Sequence, residues 1–185
     1  MRKTLLAAML TAVCLTVQAQ IIFADYSDPD VCEGASGDYW LTASSFQCTP
    51  GLPLLHSTDM THWTLVNYAL RQLDPQNHYA DVRHGCGVWA PCIRKHGDTY
   101  YIYWGDPDYG IYMVKTHDPA AEWDAPVLVV SGKGMIDPSP LWDDDGRMYL
   151  VNGWANSRCG FNSVLTVRQL SGDGASAVSE PVLVY

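Results

Sequence analysis

The stretch WAPCIRKHGDTYYIY at residues 89–103 decides the fold. It contains two runs of β-branched and aromatic residues, separated by a Gly-Asp pair at residues 97–98. Such runs favour β-strands, and a Gly-Asp pair between them favours a hairpin turn. The same order of parts occurs after Asp28-Pro29 and again after Asp137-Pro138. Each unit continues through two further strand-like runs, and the three units cover residues 28–66, 89–129 and 137–184.

This repeat predicts an all-β fold of the β-propeller type. Repeats of roughly 50 residues with four antiparallel strands are typical of propeller blades, whose first strands line a central channel. A β-sandwich would not repeat one four-part order, and the repeats of a β-helix are much shorter. Propellers close with about four to eight blades. Because the chain contains about three units, we expect a partial propeller domain over residues 20–185.

The first 19 residues differ in character from the repeats. Arg2 and Lys3 precede an apolar run at residues 5–17, and Val17-Gln18-Ala19 resembles a cleavage site. The apolar run is shorter than the ~20 residues needed to span a bilayer, so a membrane anchor is disfavoured. We therefore predict a signal peptide over residues 1–19, cleaved after Ala19, and a secreted or periplasmic protein without a membrane span.

Charge and cysteine content exclude some classes of function. The formal net charge is −9, which disfavours nucleic acid as a partner and is compatible with a neutral polysaccharide. An odd number of cysteines follows the signal peptide, and the sequence leaves open whether they are small buried hydrophobes or include one disulfide. These residues are Cys32, Cys48, Cys86, Cys92 and Cys159. They form no CxxC pair and no histidine cluster has zinc spacing, so no metal site is predicted.

The candidate chemistry lies at the head of each repeat. Superposing the units places Asp28-Pro29, Ala90-Pro91 and Asp137-Pro138 at one equivalent position, the start of a first strand. Proline stiffens the backbone there, and in a propeller these positions converge on the axis. Asp28, Asp137 and Trp89 are then expected to face one pocket, where two carboxylates shift each other's pKa. An Asp before Pro is also common in turns, but two such pairs at equivalent positions favour function.

Aromatic residues near the same positions are candidates for binding a sugar ring. Phe46, Trp89 and Trp154 follow or begin inner strands, where their faces can pack against a pyranose or furanose. The acidic run at residues 143–146 is predicted to be a hairpin turn, because an EF-hand loop would need an oxygen ligand at Leu141.

Several segments together resemble glycoside hydrolase family 43. The resemblance runs from Ala24 to the end of the chain and is carried by residues 24–30, 44–46, 50–53, 87–91, 136–140 and 144–146. It implies a five-bladed β-propeller that acts by inversion, with Asp28 as general base and Asp137 as the carboxylate that tunes and orients the acid. Phe46 and Trp89 correspond to walls of the sugar subsite. Residues 104–116 are similar to the branch of β-xylosidases and α-L-arabinofuranosidases, which implies pentose-containing plant polysaccharides or oligosaccharides as substrates.

One departure from the family pattern concerns the general acid. The family places a Glu, usually in Glu-Gly-Pro, at the head of the fourth blade, whereas the Glu-Pro pair here is Glu180-Pro181 in an outer strand of the third repeat. We therefore expect the acid to lie beyond Tyr185 and the chain alone to be inactive. The alternative is a non-catalytic carbohydrate-binding propeller or an inactive fragment. The resemblance requires no cofactor and allows a structural calcium in a full-length enzyme, with ligands mostly outside this chain.

Overall fold

The computed structural model describes Ile22 and residues 24–185. The predicted signal peptide at residues 1–19 lies outside the described residues. Within the described part of the chain, no helix is long and apolar enough to cross a membrane. The described residues form β-strands and two four-residue helices, α1 (Gln76–Tyr79) and α2 (Asn156–Cys159).

The strands form three four-stranded antiparallel sheets, each of which follows the order of the chain. The first sheet contains β1 (Asp30–Glu33), β2 (Tyr39–Thr42), β3 (Gly51–Ser57) and β4 (Thr64–Leu70). The second contains β5 (Trp89–His96), β6 (Thr99–Asp106), β7 (Gly110–Thr116) and β8 (Val127–Ser131). The third contains β9 (Met135–Trp142), β10 (Met148–Trp154), β11 (Thr166–Leu170) and β12 (Val182–Leu183). The prediction of three repeats with four strands each is confirmed.

Turn residues explain where the strands reverse. His96 pairs with Thr99, so the two residues between them form the tight turn predicted from the sequence. Gly97 has a φ of 60° in this turn, a conformation that glycine adopts without steric cost. In the third sheet, the backbone N–H of Gly146 donates to the carbonyl of Asp143 at 3.0 Å, which confirms the predicted hairpin turn.

Two apolar cores hold neighbouring sheets together. The core between the first and second sheets contains Leu54, Val88 and Ile102, which are completely buried. The core between the second and third sheets contains Tyr103, Ile111 and Leu150, which are also completely buried. The first strand of each sheet contacts the first strand of the next, β1 with β5 and β5 with β9. The starts of these strands, where the candidate carboxylates lie, are therefore brought to one region.

The five cysteines in the described part of the chain are all free thiols. Burial raises the pKa of Cys32 and of Cys92 to about 12. These two side chains therefore stay protonated at neutral pH and pack as small apolar groups.

Candidate active site

The heads of the three sheets share an unusual backbone conformation. Asp28, Ala90 and Asp137 have φ angles of 49°, 33° and 53°. Positive φ is rare for residues other than glycine, and the proline that follows each of them disfavours the right-handed helical alternative. Three residues at equivalent repeat positions therefore adopt the same rare geometry. Strained backbone of this kind is concentrated at functional sites in proteins.

The carboxylate of Asp28 is held by the hydroxyl of Ser44, which lies two residues after the end of β2. The Ser44 hydroxyl donates to Oδ2 of Asp28 at 2.7 Å, and the backbone N–H of Ala90 donates to Oγ of Ser44 at 2.8 Å. Sequence reasoning missed Ser44 as a functional residue. Its place immediately before Ser45-Phe46 was the available signal, since those three residues carry part of the family resemblance.

Asp137 lies close enough to Asp28 for their charges to interact. Asp137 is exposed, but partial desolvation of its carboxyl raises its pKa, and the negative charge of Asp28 raises it further. Beside Asp137 is Gly153 on β10, where an added Cβ would lie 3.6 Å from Oδ2 of Asp137. The structure therefore brings together the two carboxylates that the sequence proposed, with a residue lacking a side chain next to one of them.

Phe46 is fixed beside the start of β5 by its backbone. Phe46 and Val88 exchange two backbone hydrogen bonds, each 3.0 Å long, and Phe46 has a φ of 51°. Gly87 permits this approach, because a Cβ at that position would lie 2.3 Å from the carbonyl oxygen of Phe46. A cleft of about 290 Å³ includes Phe46 and Ser44 in its lining. Neither this cleft nor the larger clefts near His117, at the other end of the second sheet, is lined by Asp28 or Asp137.

Trp89 precedes the head position, which is occupied by Ala90. Its indole N–H donates to the carbonyl of Gly85 at 3.1 Å, and the guanidinium of Arg158 lies 5.5 Å from its ring centroid. Arg158 also donates to Oδ1 of Asp108 at 2.8 Å. The guanidinium thus makes a cation–π contact with the indole. Sequence reasoning did not identify Arg158, which lies in α2, the short helix between β10 and β11 of the third sheet.

Trp154 makes its contacts within the third sheet. Its indole N–H donates to Oγ1 of Thr166 at 3.1 Å, and its ring lies 5.2 Å from the ring of Phe161. It also packs against the core between the second and third sheets. These contacts are those of a packing residue, and a role for Trp154 in sugar binding stays a prediction.

A buried carboxylate that sequence reasoning missed lies near the same end of the second sheet. Asp106 is 1% exposed and follows Gly105, which pairs with Trp89 across the sheet. The hydroxyl of Tyr79 donates to Oδ2 of Asp106 at 2.5 Å, so α1 is tied to the turn after β6. Burial raises the pKa of Asp106, whereas the hydrogen bond from Tyr79 lowers it.

Among the residues that the structure describes, no three or more His, Cys, Asp or Glu side chains are grouped so as to hold a metal ion. Calcium also binds backbone carbonyl and amide oxygens, and a structural calcium in a full-length enzyme stays a prediction of the resemblance.

Comparisons with known proteins agree on one family. The sequence model of Glycosyl hydrolases family 43 matches residues 18–185. A putative β-xylosidase from Xylanibacter ruminicola is 33% identical over 159 residues, which are 86% of this chain and 29% of that protein. A non-reducing end α-L-arabinofuranosidase from Bacteroides ovatus is 35% identical over 146 residues, which are 74% of this chain and 26% of that protein.

Solved structures give the same result. One, described as "Bacteroides ovatus Xyloglucan PUL GH43B", has a TM-score of 0.70 at 29% identity, over 89% of this chain and 32% of that one. A GH43_12 protein from a capybara gut metagenome has a TM-score of 0.73, also at 29% identity and with the same shares covered. The chain thus spans about a third or less of the length of these relatives. By its sequence match and its fold, the chain belongs to glycosyl hydrolases family 43.

Proposed function

We propose that this chain is part of an inverting glycosidase that hydrolyses the glycosidic bonds of xylan- or arabinan-type saccharides. The observation that carries the proposal is the pair Asp28 and Asp137, held at equivalent strained positions and close enough for their charges to interact. Inverting glycosidases use a carboxylate base and a carboxylic acid about 6.5–9.5 Å apart, with a water molecule beside the base. In this proposal Asp28 is the base and Asp137 assists the acid.

The local chemistry supports different roles for the two carboxylates. Asp28 is exposed, and its Oδ2 accepts the hydroxyl of Ser44, so Oδ1 can accept a proton from water. The pKa of Asp137 is raised, so this group is the poorer candidate for a carboxylate that must be ionised before each turnover. A neighbouring carboxyl with a raised pKa suits a role in tuning and orienting the acid.

We further propose that the complete enzyme is a five-bladed propeller, to which this chain contributes three blades and which contains the general acid outside this chain. The three glutamates of the sequence are Glu33, Glu122 and Glu180, and none of them stands at the head of a first strand. Glu180 lies two residues before β12, on the outer side of the third sheet. The named activities of the relatives suggest β-xylosidase or α-L-arabinofuranosidase activity. The predicted signal peptide suggests a secreted or periplasmic enzyme.

The test compares Asp28→Ala with a matched control in the full-length enzyme. The substrates are an aryl β-D-xyloside and an aryl α-L-arabinofuranoside. We expect Asp28→Ala to lower kcat by at least about 10²–10⁴-fold, the usual contribution of a general base. Asp144→Ala, in the exposed hairpin of the third sheet, should keep the activity of the parent. Activity of Asp28→Ala near that of the parent would disprove the assignment, and proton NMR of the first-formed anomer tests inversion.

The second candidate function is carbohydrate binding without catalysis. It is supported by the aromatic residues Phe46 and Trp89 beside the strand heads, which can pack against a sugar ring without any acid partner for Asp28. Calorimetric titration of the full-length protein with xylo- and arabino-oligosaccharides, together with the aryl glycoside assays, distinguishes the two. Binding by a full-length protein that turns over neither aryl glycoside would favour this second function.

A further inference from the structure

We propose that Ser44 is a positioning residue that fixes the orientation of the Asp28 carboxylate. This inference rests on the proposed function, in which Asp28 is the general base. It concerns the orientation of that base by Ser44, which lies 16 positions away from it in the sequence.

The hydrogen bonds around Ser44 determine where its proton points. A serine hydroxyl has one proton to donate and two lone pairs to accept with. The backbone N–H of Ala90 can only donate, so Oγ of Ser44 accepts this bond at 2.8 Å. The carboxylate of Asp28 can only accept when ionised, so the Ser44 proton is directed to Oδ2 over 2.7 Å. A hydroxyl bond to a carboxylate is charge-assisted and stronger than a neutral one.

The backbone of Ser44 is also bonded to the segment that leads into β1. Its N–H donates to the carbonyl of Ser27, the residue before Asp28, at 2.9 Å. Ser44 therefore contacts the head of the first sheet twice and the head of the second sheet once. The two head residues that it joins, Asp28 and Ala90, both have positive φ.

Asp28 needs such a constraint because its side chain is exposed. Within the described part of the chain, the hydroxyl of Ser44 is the side-chain group that hydrogen-bonds to the carboxylate of Asp28. Without that bond, the carboxylate can rotate among several orientations in solvent. A base must lie within hydrogen-bond distance of the attacking water, and small errors of placement lower the rate strongly. Loss of the Ser44 hydroxyl should therefore lower kcat and leave substrate binding nearly unchanged.

Ser45 provides a matched control for the adjacent position. Its hydroxyl accepts the backbone N–H of Leu52 at 3.1 Å, so it serves the start of β3 and not Asp28. Both serines are partly buried and both hydroxyls bond a backbone N–H. The variants Ser44→Ala and Ser45→Ala thus remove the same group from neighbouring positions, and only the first loses a bond to the base.

The experiment measures kcat and KM of the full-length enzyme for the two aryl pentosides, with thermal unfolding as a folding control. We expect Ser44→Ala to lower kcat about 10- to 100-fold, consistent with loss of one charge-assisted bond, with KM within about twofold of the parent. Ser44→Thr, which keeps the hydroxyl, should recover most of the rate, and Ser45→Ala should resemble the parent. If Ser44→Ala does not fold, Ser44→Cys replaces it, because a thiol is of similar size and a weak donor.

The outcomes separate this inference from the function on which it rests. If the parent turns over neither substrate, the proposed function and the role of Ser44 are both overturned. If the parent is active and Ser44→Ala matches it, or changes KM alone, only the role of Ser44 is overturned. Equal losses in Ser44→Ala and Ser44→Thr would also overturn it, because the hydroxyl would then not be the cause.

Discussion

Replacing Gly87 with alanine tests the close approach that fixes Phe46 at the candidate site. Gly87 is buried and has a φ of 89°, and an added Cβ would lie 2.3 Å from the carbonyl oxygen and 2.8 Å from the carbonyl carbon of Phe46. These are backbone atoms, so the clash cannot be relieved by rotating a side chain. The two backbone segments must separate, and the two 3.0 Å hydrogen bonds between Phe46 and Val88 must weaken.

The expected cost can be built up from its parts. A left-handed backbone costs an alanine about 1–2 kcal/mol. Two backbone hydrogen bonds contribute about 1 kcal/mol each to stability. Gly87→Ala should therefore lower the free energy of unfolding by about 3–4 kcal/mol. Gly85→Ala is the matched control, because Gly85 also has a positive φ, 70°, but no atom lies within 4 Å of its added Cβ. It should cost only about 1–2 kcal/mol.

Urea unfolding followed by fluorescence measures the difference between the two variants. A difference of about 2 kcal/mol corresponds to roughly 1 M in the unfolding midpoint for a protein of this size. In the full-length enzyme, Gly87→Ala should also raise KM for the aryl pentosides, because it moves Phe46. If the two alanine variants unfold at the same urea concentration, Gly87 does not approach Phe46 in solution and the reasoning about this wall of the site is wrong.

Two further predictions concern the charged groups of the site. Partial desolvation and the charge of Asp28 raise the pKa of Asp137 in the folded protein. As the pH rises, this carboxyl therefore loses its proton more easily in the unfolded chain, which lowers the stability of the fold. Asp137→Asn should therefore increase thermal stability at neutral pH. The increase should vanish toward pH about 3, where the carboxyl is protonated in both states. A change in stability that does not depend on pH would contradict this. Arg158→Ala removes the ion pair with Asp108 and the stacking on Trp89, and should cost about 1–2 kcal/mol and change tryptophan fluorescence. Arg158→Lys should recover only part of both, and unchanged fluorescence in Arg158→Ala would show that the stacking does not persist in solution.

Much of the fold could be predicted from the sequence because its signals are local. The alternation of strand-forming runs with Gly-Asp and Asp-Asp-Gly turns depends on residues that are neighbours in the chain. The repeat of this pattern in the sequence predicts that Asp28 and Asp137 occupy equivalent positions in the structure. Their shared positive φ confirms that equivalence.

The candidate site could be predicted only in part, because its finer geometry depends on contacts between distant segments. The repeat placed Ala90 at the second head with Trp89 before it, but only the structure shows the guanidinium of Arg158 over the ring of Trp89. Nothing in the local sequence distinguishes the hydroxyl of Ser44 from that of Ser45. Their roles differ because one serine meets the head of the second sheet and the other meets β3.

The sequence by itself determined the strand repeat and the family and nominated the two candidate carboxylates, since each of these depends on short motifs. Only the tertiary structure decided which groups surround those carboxylates. Hydrogen bonds and charge interactions act over a few ångströms, and the packing of three sheets brings together side chains that lie 16, 46 or 50 residues apart in the chain. The same packing raises the pKa of Asp137, because the partial desolvation of its carboxyl and the nearby charge of Asp28 exist only in the folded protein.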